Sequence, residues 1–411
     1  MPRKWIFLSA ALCLLCLAAG CGPAESAGPS APAPQTDSLP PAVSEPAQTH
    51  NAAGSPDNDL LYSRPGGAQT ADGFYTIRTC DDWTGLLVFY DYASRQAVPV
   101  CAQPNREHHD ETCPAWFGEN IPRLLTNGEQ LAFCYLNAPA RIETANLDGS
   151  NRRVLYEFAS NETPGDGFCM DEGAVYLLST SVDSGQEGSQ DLVRIDLTDG
   201  SCTVLWSESM SDGTYSFLTG CRDHFLVLKE IRRNTQAQDT AEQLADQTHT
   251  LLLADPRDGS TAPLYEWQQG TALESAVDDT LYCITDDHRL CAFSGDGQLT
   301  ELARDDRFLP SVTVVQYADD AALWFTAPEN GTEGEACLYR LDLADGTIAP
   351  VPLSRERSLT VLGRCGDALF VRLSADDSLQ ASLDFQYALV SEEQLTASDS
   401  EAALELFTEL F

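Results

Sequence analysis

The chain has 411 residues, of which 43% are hydrophobic, so it is long enough to form two ordinary domains or one large repeat fold. It carries 63 acidic and 24 basic residues, which gives a formal net charge of −39. Because so negative a surface repels other anions, the composition argues against nucleic acid or an anionic membrane surface as a binding partner.

The first 21 residues have the three regions of a secretion signal. Arg3 and Lys4 form a short positive region, WIFLSAALCLLCL is apolar, and AAGC ends with small residues before Cys21. This arrangement resembles a bacterial lipoprotein signal, which is cut before a cysteine that then carries diacylglycerol. The resemblance implies that residues 1–20 are removed and that Cys21 is lipidated. It places the protein on the extracytoplasmic face of the cell membrane; an ordinary secretory signal cut at another bond is the alternative.

Residues 21–69 are rich in Pro, Ala, Ser and Gly, and the stretch 22–59 contains no aromatic residue. Such a segment buries too little apolar surface to offset the entropy lost on ordering, so we predict a disordered tether. Proline-rich chains extend by ~3.1 Å per residue, so this tether could hold a domain up to roughly 100 Å from its anchor.

Residues 70–397 repeat a unit of short strands. In each unit an Asp-Gly or closely related pair lies between alternating apolar residues, which is a strong local signal for a β-hairpin. A partner strand precedes each hairpin by roughly 20 to 30 residues. The hairpin sequences are IETANLDGSNRRVLYEF, LVRIDLTDGSCTVLWS, LLLADPRDGSTAPLYEW, LCAFSGDGQLTELAR and LYRLDLADGTIAPVPL.

Two less regular units flank these five and bring the number to seven. The units begin near Gly73, Arg123, Gly167, Phe217, Leu273, Val314 and Leu359. A unit of several strands that recurs roughly every 40 to 50 residues is typical of a β-propeller, in which each blade buries both faces against its neighbours. We therefore predict an all-β chain with a seven-bladed propeller over residues 70–397. A pair of stacked β-sandwiches is the alternative.

Residues 398–411 predict a short amphipathic helix at the C terminus. Ser400 is a suitable N-cap residue, and four apolar side chains share one face at helical spacing. We expect that face to dock on the propeller. The four side chains are Leu406, Phe407, Leu410 and Phe411.

With its signal, spacer and repeated units, the chain resembles the uncharacterised, membrane-anchored propeller lipoproteins of Gram-positive gut bacteria. The resemblance covers nearly the whole chain. These proteins often carry a segment of the form Cys-x4-Cys-x-His-x4-Cys after the first blade. Within CAQPNREHHDETC, Cys101, His108 and Cys113 fall on that pattern, whereas Arg106 replaces the middle cysteine.

Three states of this segment are open: a zinc site, a Cys101–Cys113 disulfide, or two reduced thiols. A structural zinc ion takes four nitrogen or sulfur ligands, and the guanidinium of Arg106 stays positively charged. Only the three residues on the pattern remain as ligands, unless His109 or Asp110 substitutes. We therefore assign no metal and no cofactor, and we keep the two cysteines as a disulfide candidate.

The sequence contains no Gly-x-Ser-x-Gly elbow, His-Glu-x-x-His helix or phosphate-binding glycine loop. Adjacent acids at 278–279, 286–287 and 305–306 suit sugar hydrolysis by paired carboxylates, but Asp is also favoured in turns. We expect a scaffold that binds a protein, peptide or glycan, rather than an enzyme. The alternative is an extracytoplasmic glycan-active enzyme that uses carboxylates in a central pocket.

Overall fold

A computed structural model describes residues 61–62, 67–80, 82–101, 108, 110–182, 188–210, 213–222, 224–233, 247–268, 272–277, 280–293, 298–310, 312–329, 336–352, 358–374, 385–397 and 404–410. The signal, Cys21 and the tether up to residue 60 lie outside this part. Across these residues, no helix combines the length and the apolar character that a membrane span requires.

The described residues form seven antiparallel sheets, each with its main strands in chain order, as the repeat predicted. Blade 1 contains β2 (Ala68–Gln69), β3 (Gly73–Thr79), β4 (Gly85–Asp91) and β5 (Gln96–Pro99). Blade 2 contains β7 (Arg123–Thr126), β8 (Gln130–Tyr135), β9 (Arg141–Asn146) and β10 (Arg153–Glu157). Blade 3 contains β11 (Glu162–Met170), β12 (Ala174–Ser181), β13 (Ser189–Asp196) and β14 (Cys202–Ser209). Two further short strands are β1 (Leu61–Tyr62) and β6 (Trp116–Phe117).

Blades 4 to 7 follow the same order. They contain β15 (Thr214–Arg222), β16 (Phe225–Arg232), β17 (Thr248–Ala254) and β18 (Thr261–Gln268); β19 (Ala272–Val277), β20 (Thr280–Ile284), β21 (Arg289–Phe293) and β22 (Leu299–Arg304); β23 (Val314–Ala318), β24 (Ala322–Pro328), β25 (Ala336–Asp342) and β26 (Ile348–Pro350); and β27 (Ser358–Cys365), β28 (Ala368–Ser374), β29 (Phe385–Ser391) and β30 (Glu405–Leu406). The remaining elements are α1 (Glu392–Leu395) and β31 (Thr408–Glu409).

The first strands of the blades lie around the axis, where each contacts the first strand of the next blade from β2 to β27. The axial strands of blades 7 and 1 meet where the Gln69 side chain donates a hydrogen bond of 2.7 Å to the Arg364 carbonyl, which closes the ring. The apolar core is divided into clusters that lie between neighbouring blades. The all-β, seven-bladed propeller expected from the sequence is therefore confirmed, and stacked sandwiches are excluded.

The propeller begins earlier than residue 70, so the boundary of the tether at 69 was wrong. Ala68 and Gln69 form the axial strand of blade 1, and β1 pairs with β11 of blade 3. Strand β1 also contacts the first strands of blades 2 and 4. Strand β1 is held by β11, far along the chain, whereas β2 pairs with β3, which follows it directly.

The hairpins of the repeat also join neighbouring blades. In blades 2, 3 and 4 the hairpin glycine has positive φ and lies against a backbone carbonyl at the outer edge of the preceding blade. A Cβ atom would overlap that oxygen, so no larger residue fits. The contacts are Gly149 on Val100, Gly200 on Leu155 and Gly259 on Leu205.

A short helix does lie near the C terminus, but placing it at 398–411 was wrong. Helix α1 spans Glu392–Leu395, and Ser391 caps it in a capping box with Gln394. The described end of the chain forms strands: β30 pairs antiparallel with β29, and β31 pairs parallel with β5 of blade 1. Ser400 and Phe411 lie outside the described residues.

The last strands close the ring at its outer edge, because they run from blade 7 to blade 1. Alternation along a strand buries Phe407, which is 8% exposed, and leaves Leu406 49% exposed. The Phe407 ring lies 5.3 Å from the Tyr90 ring and 5.7 Å from the Phe370 ring. Of the three described residues on the apolar face expected to dock, Leu406, Phe407 and Leu410, only Phe407 is buried at this junction.

We predict that Gly200→Ala destabilises the propeller because the new Cβ would overlap the Leu155 carbonyl oxygen. Gly346→Ala is the matched control. Both glycines end a hairpin, with φ of +73° and +75°, but the nearest atom to a Cβ at Gly346 is 3.7 Å away. Urea unfolding should show a loss of about 1–3 kcal/mol for the backbone strain in both variants, and a further loss in Gly200→Ala alone. Equal losses would refute the packing role.

We predict that Phe407→Ala lowers the free energy of unfolding by about 3–5 kcal/mol, as expected for a buried phenylalanine. Leu406→Ala should cost less than about 0.5 kcal/mol, because that side chain lies mostly in solvent. The comparison is made by chemical denaturation at neutral pH. The anchor role fails if the two variants are equally stable.

Candidate functional site

An apolar row crosses the face of blade 1 that looks toward blade 2. Tyr75, Phe89 and Val98 lie directly opposite one another on β3, β4 and β5. The Tyr75 and Phe89 rings are 4.5 Å apart. The opposite face of the same strands presents Phe74 and Tyr90 to blade 7. Blade 1 is thus apolar on both faces, as the strand alternation requires.

This row forms one wall of an open surface depression with a volume of about 380 Å³, which we call the blade 1–2 groove. The other wall is the hairpin of blade 2, through Leu147 and Asp148. Hydrogen bonds from Ser150 lower the pKa of the Asp148 carboxyl, so it is ionised at neutral pH. The remaining lining residues are Pro99, Val100 and Cys101. The groove therefore combines an apolar wall with one negative charge.

The loop between β5 and β6 is held closed at its base by a single residue of β4. The Leu87 carbonyl accepts a hydrogen bond of 2.9 Å from the Val100 amide, and the Leu87 amide donates one of 2.7 Å to the Ala115 carbonyl. Because both ends of the loop bind the same residue, the neighbouring Cys101 and Cys113 are brought side by side.

Cys101, His108 and Cys113 converge in this loop, and their ligand atoms all lie within 4.8 Å of one another. His108 Nδ1 is 3.1 Å from Cys113 Sγ. Cys113 is buried, and its burial, together with the neighbouring Cys101 thiol, raises its pKa. We call these three residues the Cys-His cluster. Its donor set, two sulfurs and one imidazole, suits soft and borderline cations.

The structure therefore brings together the three candidates that the sequence placed on one motif. Both cysteines are free thiols in this structure, as are the other described cysteines. Arg106 and His109 lie outside the described residues. Asp110 accepts a hydrogen bond of 2.8 Å from the Thr112 amide, which places it in the turn before Cys113.

An ion network that the sequence did not reveal holds the same loop against blade 2. Arg152 donates hydrogen bonds of 3.1 Å to the carbonyls of Pro114 and Trp116, and one of 2.7 Å to Glu143. Arg141 donates another of 2.6 Å to Glu143. In the sequence, the only sign of this network was the pair Arg152 and Arg153 after the hairpin turn. Their role could not be inferred there, because it depends on contacts between blades.

The acid pairs belong to turns wherever they are described. Asp287 accepts a hydrogen bond from Thr285 and pairs with Arg289 at 2.8 Å, and Asp305 pairs with Arg307 at 2.6 Å. The pair at 278–279 lies outside the described part. Strand β1 pairs with β11, the axial strand of blade 3.

No protein-family model and no curated protein matches this chain. Solved structures match its fold. Puromycin hydrolase is 15% identical with a TM-score of 0.51, and the match covers 83% of this chain and 52% of that one. This chain thus spans about half the length of that hydrolase. At this identity the similarity establishes only that both contain the same class of fold, a β-propeller.

Two further structures match less closely. The β-propeller domain of the Trilobed protease from Pyrococcus furiosus is 12% identical, with a TM-score of 0.48 over 84% of this chain and 98% of that one. Oligogalacturonate lyase from Vibrio parahaemolyticus is 14% identical, with a TM-score of 0.43 over 65% of this chain and 73% of that one.

We predict that Glu143→Gln destabilises the protein by about 1.5–3 kcal/mol at pH 7, because two arginines lose their charged acceptor. Burial alone would raise the pKa of Glu143, but Arg152 and Arg141 outweigh it and hold the pKa below its usual value. The ionised carboxylate therefore stabilises the fold above the ordinary glutamate pKa, about 4.3. This contribution is lost as the pH falls through the lower folded-state pKa.

The measurement is chemical denaturation of both proteins from pH 7 down to acid. The stability difference should shrink below about pH 4.3. Asp166→Asn is the control, since the Asp166–Arg123 pair is exposed at 75% and 55%. It should change stability by less than about 1 kcal/mol. A difference that stays constant with pH would contradict the assignment.

Proposed function

We propose that this chain is a cell-surface lipoprotein whose propeller is a binding scaffold, and that the blade 1–2 groove is its ligand site. The observation that carries the proposal is the groove itself. Its volume of about 380 Å³ falls within the range of ligand sites, and its lining combines apolar walls with a single carboxylate. Such a surface accepts an apolar side chain and a positive charge next to it.

The ligand class that fits best is a peptide segment with an aromatic or aliphatic side chain beside a lysine or arginine. Tyr75, Phe89 and Val98 would contact the apolar side chain, and Asp148 would pair with the cation. The net charge of −39 favours the same choice, because it attracts cationic ligands and repels anionic ones. An uncharged glycan would leave the Asp148 carboxylate without a charged partner.

The location follows from the N-terminal sequence. Lipidation of Cys21 would anchor the chain to the membrane, and the tether would set the propeller away from the lipid surface. A scaffold that presents a groove outside the cell needs no reactive group in that groove. The turn contacts of Asp287 and Asp305 favour this role over a glycan-active enzyme, because they assign those carboxylates to the fold.

We predict that cells expressing the chain with an alkyne-labelled fatty acid incorporate the label, and that Cys21→Ala abolishes it. Cys16→Ala is the control, because it removes a cysteine of the same signal that is not the expected acceptor. Mass spectrometry of the N-terminal peptide locates the label. If Cys21→Ala is labelled as strongly as the wild type, Cys21 is not the anchor.

The ligand class is tested by a thermal-shift screen of the mature chain against peptides that pair an aromatic residue with lysine, with glutamate, or with neither. Lysine peptides should stabilise it, by about 2.7 kcal/mol at a hundred times the dissociation constant. Val98→Lys should abolish this binding, because it fills the groove with a positive charge. Val204→Lys, at a residue of β14 that is 55% exposed, should not.

A second matched pair of variants tests the role of the Asp148 charge in binding. Asp148→Asn keeps an oxygen to accept the Ser150 amide but removes the charge, and we expect lysine peptides to bind about two- to fivefold more weakly. Asp199→Asn makes the same change in the blade 3 hairpin, where Asp199 accepts the Ser201 amide, and should leave binding unchanged. Equal affinity for all three peptide classes would refute the proposal.

A further inference from the structure

The geometry points to a metal site in the loop between β5 and β6. The Cys-His cluster binds one Zn²⁺ or a cation of similar softness through Cys101 Sγ, Cys113 Sγ and one imidazole nitrogen of His108. A fourth coordination position is left for water or an exogenous donor. The site shares Cys101 with the blade 1–2 groove, but the evidence for it does not depend on the peptide-binding proposal.

The distances are close to those that the ion requires. Zinc binds thiolate at about 2.3 Å and imidazole at about 2.0–2.1 Å, so two ligand atoms of a tetrahedral site lie about 3.3–3.8 Å apart. The atoms of the cluster lie within 4.8 Å of one another, and His108 Nδ1 is already 3.1 Å from Cys113 Sγ. The two most distant ligand atoms need to approach each other by about 1 Å to reach the geometry of a tetrahedral site.

The count of ligands sets the type of site. Structural zinc is usually held by four protein ligands, whereas three protein ligands with an open position are typical of zinc sites that bind water or substrate. Two thiolates and one imidazole form a known set of the second kind. The substitution at Arg106 removes the fourth protein ligand of a closed structural site, and the three residues that remain match the open kind.

The two cysteine ligands are held in place before any ion binds. Leu87 fixes both ends of the loop, and Arg152 holds the carbonyls of Pro114 and Trp116, just after Cys113. Cys113 and Ala115 pack into the core shared by blades 7, 1 and 2. Because folding already orders the two cysteines, metal binding costs less conformational entropy here than in a flexible loop.

The first test adds Co²⁺, as a spectroscopic substitute for Zn²⁺, to the full mature chain kept reduced and free of metal. We expect one Co²⁺ per chain, a thiolate-to-cobalt charge-transfer band and the visible d–d bands of a near-tetrahedral site. Zinc should displace the cobalt with one-to-one stoichiometry. Spectra without a thiolate charge-transfer band would overturn the inference.

The second test removes ligands one at a time, by Cys101→Ser, His108→Gln and Cys113→Ser. Each should weaken zinc binding at least about a hundredfold, more than the loss of a supporting residue around a metal site. Cys202→Ser is the control, because it removes an exposed thiol of β14 outside the cluster and should leave affinity unchanged. Retained affinity in all three cluster variants would overturn the site.

The third test needs no variant and so does not depend on how a variant folds. Alkylation of the wild-type chain, followed by mass spectrometry, measures the reactivity of individual thiols with and without zinc. Zinc should slow modification of Cys101 at least about tenfold and leave Cys202 unchanged. Equal protection of both, or a Cys101–Cys113 disulfide in the chain isolated from cells, would refute the inference.

Discussion

The packing of blades 1 to 4 depends on the contact between the hairpins of blades 2, 3 and 4 and the outer edge of the blade before each of them. The hairpin glycine lies on a backbone carbonyl, so two backbones approach as closely as atoms allow. The adjacent aspartate holds the turn through the amide two residues on, as Asp199 does with Ser201. In blades 2, 3 and 4 one short motif thus shapes the hairpin and sets its distance from the preceding blade.

The same constraint explains which parts of the fold were predictable. Alternating residues around an Asp-Gly pair report local structure, so the hairpins, the period and the propeller followed from the sequence. The ends did not, because their structure comes from remote partners. Leu406, Phe407 and Leu410 fit a helical face, but pairing with β29 and β5 satisfies the backbone of that segment as strands. Intrinsic propensity is a weak guide where an open sheet edge awaits a partner.

The candidate functional site was likewise predictable only in its local part. Cys101, His108 and Cys113 were visible as candidates because they lie on one short motif. Their convergence was not visible, because it depends on Leu87, a residue of the preceding strand that binds both ends of the loop. The blade 1–2 groove was hidden for a similar reason: one wall belongs to blade 1 and the other to the blade 2 hairpin. Contacts across blades leave no local pattern in a single sequence.

The closure at the C terminus bears on how the chain folds. Strand β31 pairs with β5, so the first blade is completed only when the last residues of the propeller arrive. Until then the outer edge of blade 1 and the aromatic rings that receive Phe407 stay open to other chains. Contacts between such distant residues form slowly, because a long loop must close first. A chain that stops short of residue 407 therefore keeps an edge prone to aggregation, which makes truncation at this end costlier than its few residues suggest.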